Sequence, residues 1–239
     1  AVTYILLTGI FPYNQVLNPV LPASVLLMAA IMRIMEAYRK NGTAFNFFDA
    51  SVLIATGSLF YANLIWFGLL AIIGIAILRT GNLKELLLAI VGLCTPLIIT
   101  AGIYYVAGKD LAALLSDARH NLFSDSGDYY FSRVTITGLV ITGLALLAAL
   151  FYLFSVLNSK KIKSRKTFTE LIWLLVIAFT VYFAIPSASV EMIFIAAIPM
   201  SYIFAHYFVF AGKRILPGIF FPALFIFVFI IQVIYLRQQ

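Results

Sequence analysis

Long apolar runs, separated by short polar stretches, constrain this chain more than any other feature of its sequence. About 20 helical residues cross the roughly 30 Å hydrocarbon core of a bilayer. Of the 239 residues, 64% are hydrophobic and 10% are charged, whereas soluble domains carry about 25% charged residues. The sequence therefore predicts an all-α, polytopic membrane protein, and it excludes a soluble enzyme, a nucleic-acid-binding domain and a disordered protein. The apolar runs cover residues 1–11, 18–38, 49–79, 85–107, 132–157, 168–185, 190–211 and 216–236.

The first of these runs is too short to cross a bilayer. Residues 1–11 are apolar from the first position, with no initiator Met and neither the basic start nor the cleavage site of a secretory signal. We therefore expect this run to be the second half of a helix in a longer chain. On this interpretation residues 1–239 form one transmembrane domain with an incomplete start. The single cysteine, Cys94, excludes an internal disulfide.

The run over residues 49–79 is long for one span, and the basic residues indicate how it folds. Gly57 and Ser58, followed by Phe60 and Tyr61, would allow a break at a membrane interface. If the run forms a short helical hairpin, all basic stretches fall on one side of the membrane, as the positive-inside rule favours. Those stretches are Arg33–Lys40, Arg79–Lys84, Lys160–Lys166 and Lys213–Arg214.

This topology gives nine membrane-embedded segments in a bacterial inner membrane. The basic stretches are then cytoplasmic and the C-terminus is periplasmic. The net charge of +7 is explained by basic cytoplasmic loops, so it does not indicate a nucleic-acid partner. The bilayer and other membrane proteins are the expected partners.

The polar stretch over residues 109–128 is predicted to lie outside the membrane. Within it, Leu111, Leu114, Leu115 and Ala118 recur at helical spacing, opposite the acidic Asp117. This pattern is typical of an amphipathic helix lying on a membrane surface. Such a helix would either rest on the headgroups as a connector or receive a partner.

Ionisable residues inside a membrane are expensive and usually functional, so the depth of each carboxylate matters. Asp49 is placed to cap the start of a helix. Glu170 fits a capping box, Thr167-x-x-Glu170, at the start of the run over residues 168–185. Glu191 falls in a first helical turn, where the helix dipole favours a carboxylate. These positions at helix ends argue against a proton or sodium relay.

His206 is the one ionisable residue predicted near the middle of a span. It follows Tyr202 by one helical turn. A proton relay through His206 is one interpretation, and a hydrogen bond to Tyr202 or to a neighbouring backbone group is the other. The sequence contains no phosphate-loop, zinc-protease, C-x-x-C or G-x-S-x-G motif, and we predict no cofactor and no metal site.

The order of several short segments resembles an uncharacterised family of multi-pass inner-membrane proteins from Bacteroidota, a family of unknown function. The resemblance is closest over residues 5–110. It implies a membrane location and further helices upstream, and it carries no assigned activity or site residues. The segments are Phe11-Pro12, Asn18-Pro19, the basic end from Arg33 to Lys40, Phe48–Ser51, Gly57–Tyr61, and the stretch from Arg79 through Asn82–Leu87 and Gly92 to Pro96.

The same region, with Tyr104-Tyr105 before an outside loop, is also similar to the membrane halves of polyprenyl-linked glycosyltransferases and glycan polymerases. That resemblance implies a polyprenyl lipid ligand and candidate residues at the outside mouth, which are Lys109, Arg119, His120 and Asp125. Such enzymes usually carry an acidic residue in the first outside loop, whereas residues 11–18 contain none.

Three functional hypotheses follow from these observations. The first is a non-catalytic integral membrane subunit of an envelope complex for export or biogenesis. The second is a glycosyltransferase, polymerase or flippase that acts on polyprenyl-linked glycan. The third is a small-solute transporter that uses His206 and helix kinks at Pro96 and Pro199.

Overall fold

A computed structural model describes residues 2–11, 18–38, 44–79, 83–124, 133–211 and 215–238. These residues are almost entirely helical and include no strand, in agreement with the predicted all-α class. The α-helices are α1 (Val2–Thr8), α2 (Val20–Glu36), α3 (Ala44–Ser58), α4 (Gly68–Arg79), α5 (Leu83–Val106), α6 (Leu111–Phe123), α7 (Arg133–Leu157), α8 (Ile162–Ala184), α9 (Ile193–Phe210) and α10 (Ile215–Gln238). Short 3-10 helices at Ala62–Phe67 and Val190–Met192 precede α4 and α9.

Four helical stretches are long and apolar enough to cross a membrane: Leu83–Val106, Thr135–Leu157, Ile162–Ala184 and Val190–Phe210. Shorter apolar helices lie at Ala62–Leu78 and Gly218–Val233. The chain is therefore a membrane protein with several potential spans. The finer count of nine embedded segments remains a prediction.

The described residues form two compact units, drawn from different parts of the chain. The first unit contains residues from 1–18, 128–165 and 193–239, and the second contains residues from 19–127 and 166–192. Helix α8 lies mostly in the second unit, from Lys166 onward.

In the second unit, the helices on both sides of residues 59–61 pack against each other in antiparallel order. Gly57, at the end of α3, faces Leu64, and Gly74 in α4 lies close to Phe47 near the start of α3. The end of α3 thus lies beside the segment that leads into α4, and the start of α3 lies beside the later part of α4. Residues 49–79 therefore form an antiparallel helical hairpin and not one continuous helix. The predicted break in this run is confirmed.

Helix α5 packs closely along α3 because Gly92 has no side chain. A Cβ atom at Gly92 would lie 2.6 Å from the carbonyl oxygen of Phe48 and 2.9 Å from Cβ of Ser51. Further along α5, Gly102 has open space around it. Only 17% of the most apolar 18-residue stretch of this helix is buried by the rest of the chain. Most of the α5 surface is therefore free to contact lipid or another protein.

In the first unit, α9 is the central helix and contacts α1, α7 and α10. Of the most apolar 18-residue stretch within Val190–Phe210, 67% is buried. The hydroxyl of Thr3 in α1 donates to the carbonyl oxygen of Ser201 in α9 at 3.2 Å. The amide of Gln232 in α10 donates to the carbonyl oxygen of Gly9 at 3.0 Å. These bonds tie α1 to its neighbours by groups that would otherwise lack partners in lipid.

Candidate functional site

The residues predicted at the outside mouth lie on an exposed surface. Lys109 precedes α6, and its ammonium lies 5.2 Å from the ring centroid of Tyr104. Arg119 and His120 are exposed on α6. Asp125 lies outside the described residues. Among the described residues, no three His, Cys, Asp or Glu side chains are grouped to hold a metal.

The helix predicted from the leucine spacing is present as α6. Its N-cap is Asp110, whose side chain accepts a hydrogen bond from the backbone N–H of Ala112 at 2.9 Å. None of its residues is buried. Leu111 and Leu114 are half-buried, whereas Leu115 is 71% exposed.

His206 and Tyr202 lie on α9 in very different surroundings. Tyr202 is 54% exposed, whereas His206 is 7% exposed. The His206 ring stacks on Phe210 with a centroid distance of 4.9 Å, and the Tyr152 ring lies 5.8 Å away. Lys160 places its ammonium 4.6 Å from the Phe210 centroid. His206 is thus held among aromatic rings, with a cation close by.

The predicted capping box at Thr167-x-x-Glu170 is wrong. Helix α8 begins at Ile162, so Glu170 lies more than two turns inside the helix and does not form a capping box at its start. Its side chain is 1% exposed. Neither carboxyl oxygen has a hydrogen-bond partner among the described residues. Asp49 is also inside its helix, since α3 begins at Ala44, and its carboxylate lies 3.9 Å from the Arg33 guanidinium.

Gly74 of α4 lies beside the Glu170 carboxyl and close to side chains of α2 and α3, and we call Glu170, Gly74, Ile34 and Phe47 the Glu170 pocket. A Cβ atom built on Gly74 of α4 would lie 3.1 Å from Oε1 of Glu170, 2.7 Å from Cγ2 of Ile34 in α2 and 3.6 Å from Cε1 of Phe47 in α3. Ile34 and Phe47 are fully buried. The glycine therefore leaves the space that admits the carboxyl, and the neighbouring side chains are apolar.

Burying an unpaired ionised carboxylate costs on the order of several kcal/mol. Native proteins rarely leave such a group without a partner, and an ionisable residue in a potential span is a functional-site hypothesis by default. The sequence contained one sign that Glu170 lies inside a helix and not at its start. Lys166 and Glu170 are four residues apart, which places them on one face of a helix. That spacing favours a helix that continues through Thr167.

Lys166 lies one turn before Glu170 on α8, but its ammonium group does not bond to the Glu170 carboxyl. Its ammonium donates to the carbonyl oxygen of Ile77 in α4 at 2.6 Å. It also lies 5.4 Å from the ring centroid of Tyr38. These contacts hold the end of α4 against α8 beside the Glu170 pocket.

A polar cluster lies where the segment before α4 meets the turn after α8. The hydroxyl of Ser187 is 3.1 Å from Oδ1 of Asn63 and 2.7 Å from the carbonyl oxygen of Leu122. Asn63 is 2% exposed. We call Asn63, Ser187 and the Leu122 carbonyl the Ser187 cluster. It links the 3-10 helix before α4, the turn after α8 and the end of α6.

Comparison with known proteins gave a single kind of match. A family described as a family of unknown function, DUF6427, matches residues 3–238. No curated protein and no solved structure matches the chain. The match extends well beyond residues 5–110, where the sequence resemblance was expected to be closest.

Proposed function

Because the chain belongs to DUF6427, a family of unknown function, we propose its role from its own residues: a non-catalytic integral membrane subunit of an envelope complex for export or biogenesis. In this proposal the membrane is the inner membrane of a bacterium from the Bacteroidota. The basic stretches face the cytoplasm, and α6 and the C-terminus face the periplasm.

The observation that carries this proposal is an exposed apolar surface where α5 meets α6. Tyr105 is 73% exposed, Val106 87% and Leu115 71%. Lys109 and Asp110 lie between the two helices and mark the boundary between the membrane and water. Large apolar side chains at such a boundary are covered either by lipid headgroups or by another protein. We favour a membrane-protein partner.

The test is purification of the tagged full-length protein in gentle detergent, followed by mass spectrometry of the proteins that co-purify. Leu115→Glu places a charge on the exposed apolar face of α6. Ala113→Glu is the matched control, because Ala113 is exposed on the opposite face of the same helix. We expect wild type and the Ala113 variant to retain a stoichiometric partner that the Leu115 variant loses. A partner retained equally by all three proteins contradicts this surface, and a wild-type protein that purifies alone contradicts the subunit proposal.

The two other hypotheses remain proposals with less support. Lys109, Arg119 and His120 are spread over an exposed surface, so a polyprenyl-linked glycan would meet them as separate contacts. The ring of His206 is packed against aromatic neighbours, a setting that favours a fixed position in the first unit over a path for a solute. A polyprenyl lipid bound to the purified protein would move the enzyme or flippase hypothesis to first place.

A further inference from the structure

The Glu170 pocket holds an acidic group whose chemistry the subunit proposal does not use. The carboxyl is almost completely buried in a potential membrane span, and both of its oxygens lack hydrogen-bond partners among the described residues. Gly74 of α4 lies beside the carboxyl, and the apolar side chains of Ile34 and Phe47 lie close to the same glycine. An ionised carboxylate is strongly disfavoured in such surroundings, whereas the neutral acid is tolerated.

Charged groups are present on the helices around Glu170, but they are engaged elsewhere. On α8, Lys166 donates to the Ile77 carbonyl oxygen. On α2, Arg33 lies 3.4 Å from the Glu36 carboxylate and 3.9 Å from Asp49 of α3. Both side chains in the Arg33–Glu36 pair are about half exposed, so this pair lies at the surface of the unit. On α4, the Arg79 side chain lies outside the described residues.

Glu85 is a second buried carboxyl group in this unit, and its position differs. It lies in the first turn of α5 and is 3% exposed. The partial positive charge of a helix N-terminus stabilises a carboxylate there. Glu170 is far from either end of α8 and receives no such stabilisation.

We propose that Glu170 is a proton-binding site, and that it carries its proton whenever α2, α3, α4 and α8 are packed as they are here. A metal cation fits this pocket poorly, because Ca²⁺ takes six to eight oxygen ligands and even Mg²⁺ needs six, and the pocket offers one carboxyl group. This inference goes beyond the subunit proposal and does not depend on it.

Release of the proton requires the pocket to open. The O–H bond of the carboxyl breaks, the proton passes to water, and the remaining carboxylate needs a cation. Among the side chains that the structure describes, Lys166 is a cation within reach, because residues four apart on a helix are neighbours on its surface. To reach Glu170, its ammonium must leave the Ile77 carbonyl oxygen, and the tie between α8 and the end of α4 is then lost. Proton release is thereby coupled to loss of the hydrogen bond between Lys166 of α8 and Ile77 of α4.

The proton is detected by infrared difference spectroscopy of the full-length protein in lipid nanodiscs, recorded as the pH is raised. A protonated carboxylic acid has a C=O stretch that is lost on ionisation. At neutral pH we expect a C=O component that is present in wild type and in Glu85→Gln and absent in Glu170→Gln. Its complete loss in Glu170→Gln alone supports the proposal. A wild-type spectrum without the component, or its persistence in Glu170→Gln, overturns it.

Two further measurements keep the result decisive. If Glu170→Gln does not purify as a monodisperse protein, Glu170→Asp replaces it, and the component is then expected to shift in frequency. An unshifted component overturns the assignment. Adding sodium at constant pH and ionic strength should leave the component unchanged, and its loss on sodium addition would overturn the proton in favour of a cation.

Discussion

Two regions of the second unit, the Ser187 cluster and the Glu170 pocket, each bury a polar side chain, and they differ in the partners of their polar groups. In the Ser187 cluster, the serine hydroxyl lies within hydrogen-bond distance of Asn63 and the Leu122 carbonyl. In the Glu170 pocket, the carboxyl oxygens have no partner among the described residues. A satisfied polar cluster stabilises one packing of the helices, whereas an unsatisfied acid costs stability. We therefore expect the Ser187 cluster to stabilise the unit and the Glu170 carboxyl to destabilise it.

The largest expected effect comes from filling the pocket. Gly74→Ala places a methyl group 2.7 Å from Ile34 Cγ2 and 3.1 Å from the Glu170 carboxyl. We expect it to lower the free energy of unfolding by about 2 kcal/mol, the usual cost of overpacking a well-packed interior. Thermal or denaturant unfolding in detergent measures the change. Gly102→Ala is the control, because that glycine has open space around it, and an equal loss there would show that the pocket is not tightly enclosed.

Removing a partner from the Ser187 cluster should also destabilise the unit. Asn63→Ala deletes the buried amide beside the Ser187 hydroxyl, and we expect a loss of about 1.5 kcal/mol in the free energy of unfolding. The same unfolding assay applies. Thr95→Ala is the comparison, since that hydroxyl bonds to its own helix at the Val91 carbonyl oxygen and its loss should cost less than about 0.5 kcal/mol. Equal effects of the two substitutions would contradict the structural role of the cluster.

Removing the acid from the Glu170 pocket should raise the free energy of unfolding, whereas the two preceding substitutions lower it. Glu170→Leu replaces a buried polar group that lacks a partner by an apolar side chain of similar size. We expect stability to rise by about 1 kcal/mol, because such replacements are often neutral or stabilising. A stabilised protein with impaired function in cells would indicate that the acid is kept for function. A loss of more than about 2 kcal/mol would mean that Glu170 has a stabilising partner and would erase the contrast with the Ser187 cluster.

The smallest change in stability is expected on removal of the Lys166–Ile77 hydrogen bond beside the Glu170 pocket. Lys166→Met removes the hydrogen bond to the Ile77 carbonyl oxygen and the contact with the Tyr38 ring. We expect a loss of about 0.5–1 kcal/mol, since the flexible apolar side chain retains most of the packing. Lys163→Met, at an exposed position of the same helix, should change the unfolding midpoint little. A similar shift in both variants would remove the specific role of Lys166.

Several features of the fold could be predicted because they depend on residues close together in the chain. The leucine spacing predicted α6, and Gly57-Ser58 together with the distribution of basic residues predicted the break that separates α3 from α4. The start of α8 could not be placed in the same way. Thr167-x-x-Glu170 has the form of a capping box, yet the helix continues through it from Ile162, because a local pattern does not reveal whether the preceding residues are also helical.

The sequence by itself determined the class of this protein, since apolar runs of this length and number can be solvated only as helices in a bilayer. It also determined where the α3–α4 hairpin turns. Only the tertiary structure decided that Glu170 is a buried acid. Helix length and periodicity are properties of one segment, whereas the burial of Glu170 depends on the packing of α8 against other helices, where Gly74 of α4 lies beside the carboxyl and close to Ile34 of α2 and Phe47 of α3.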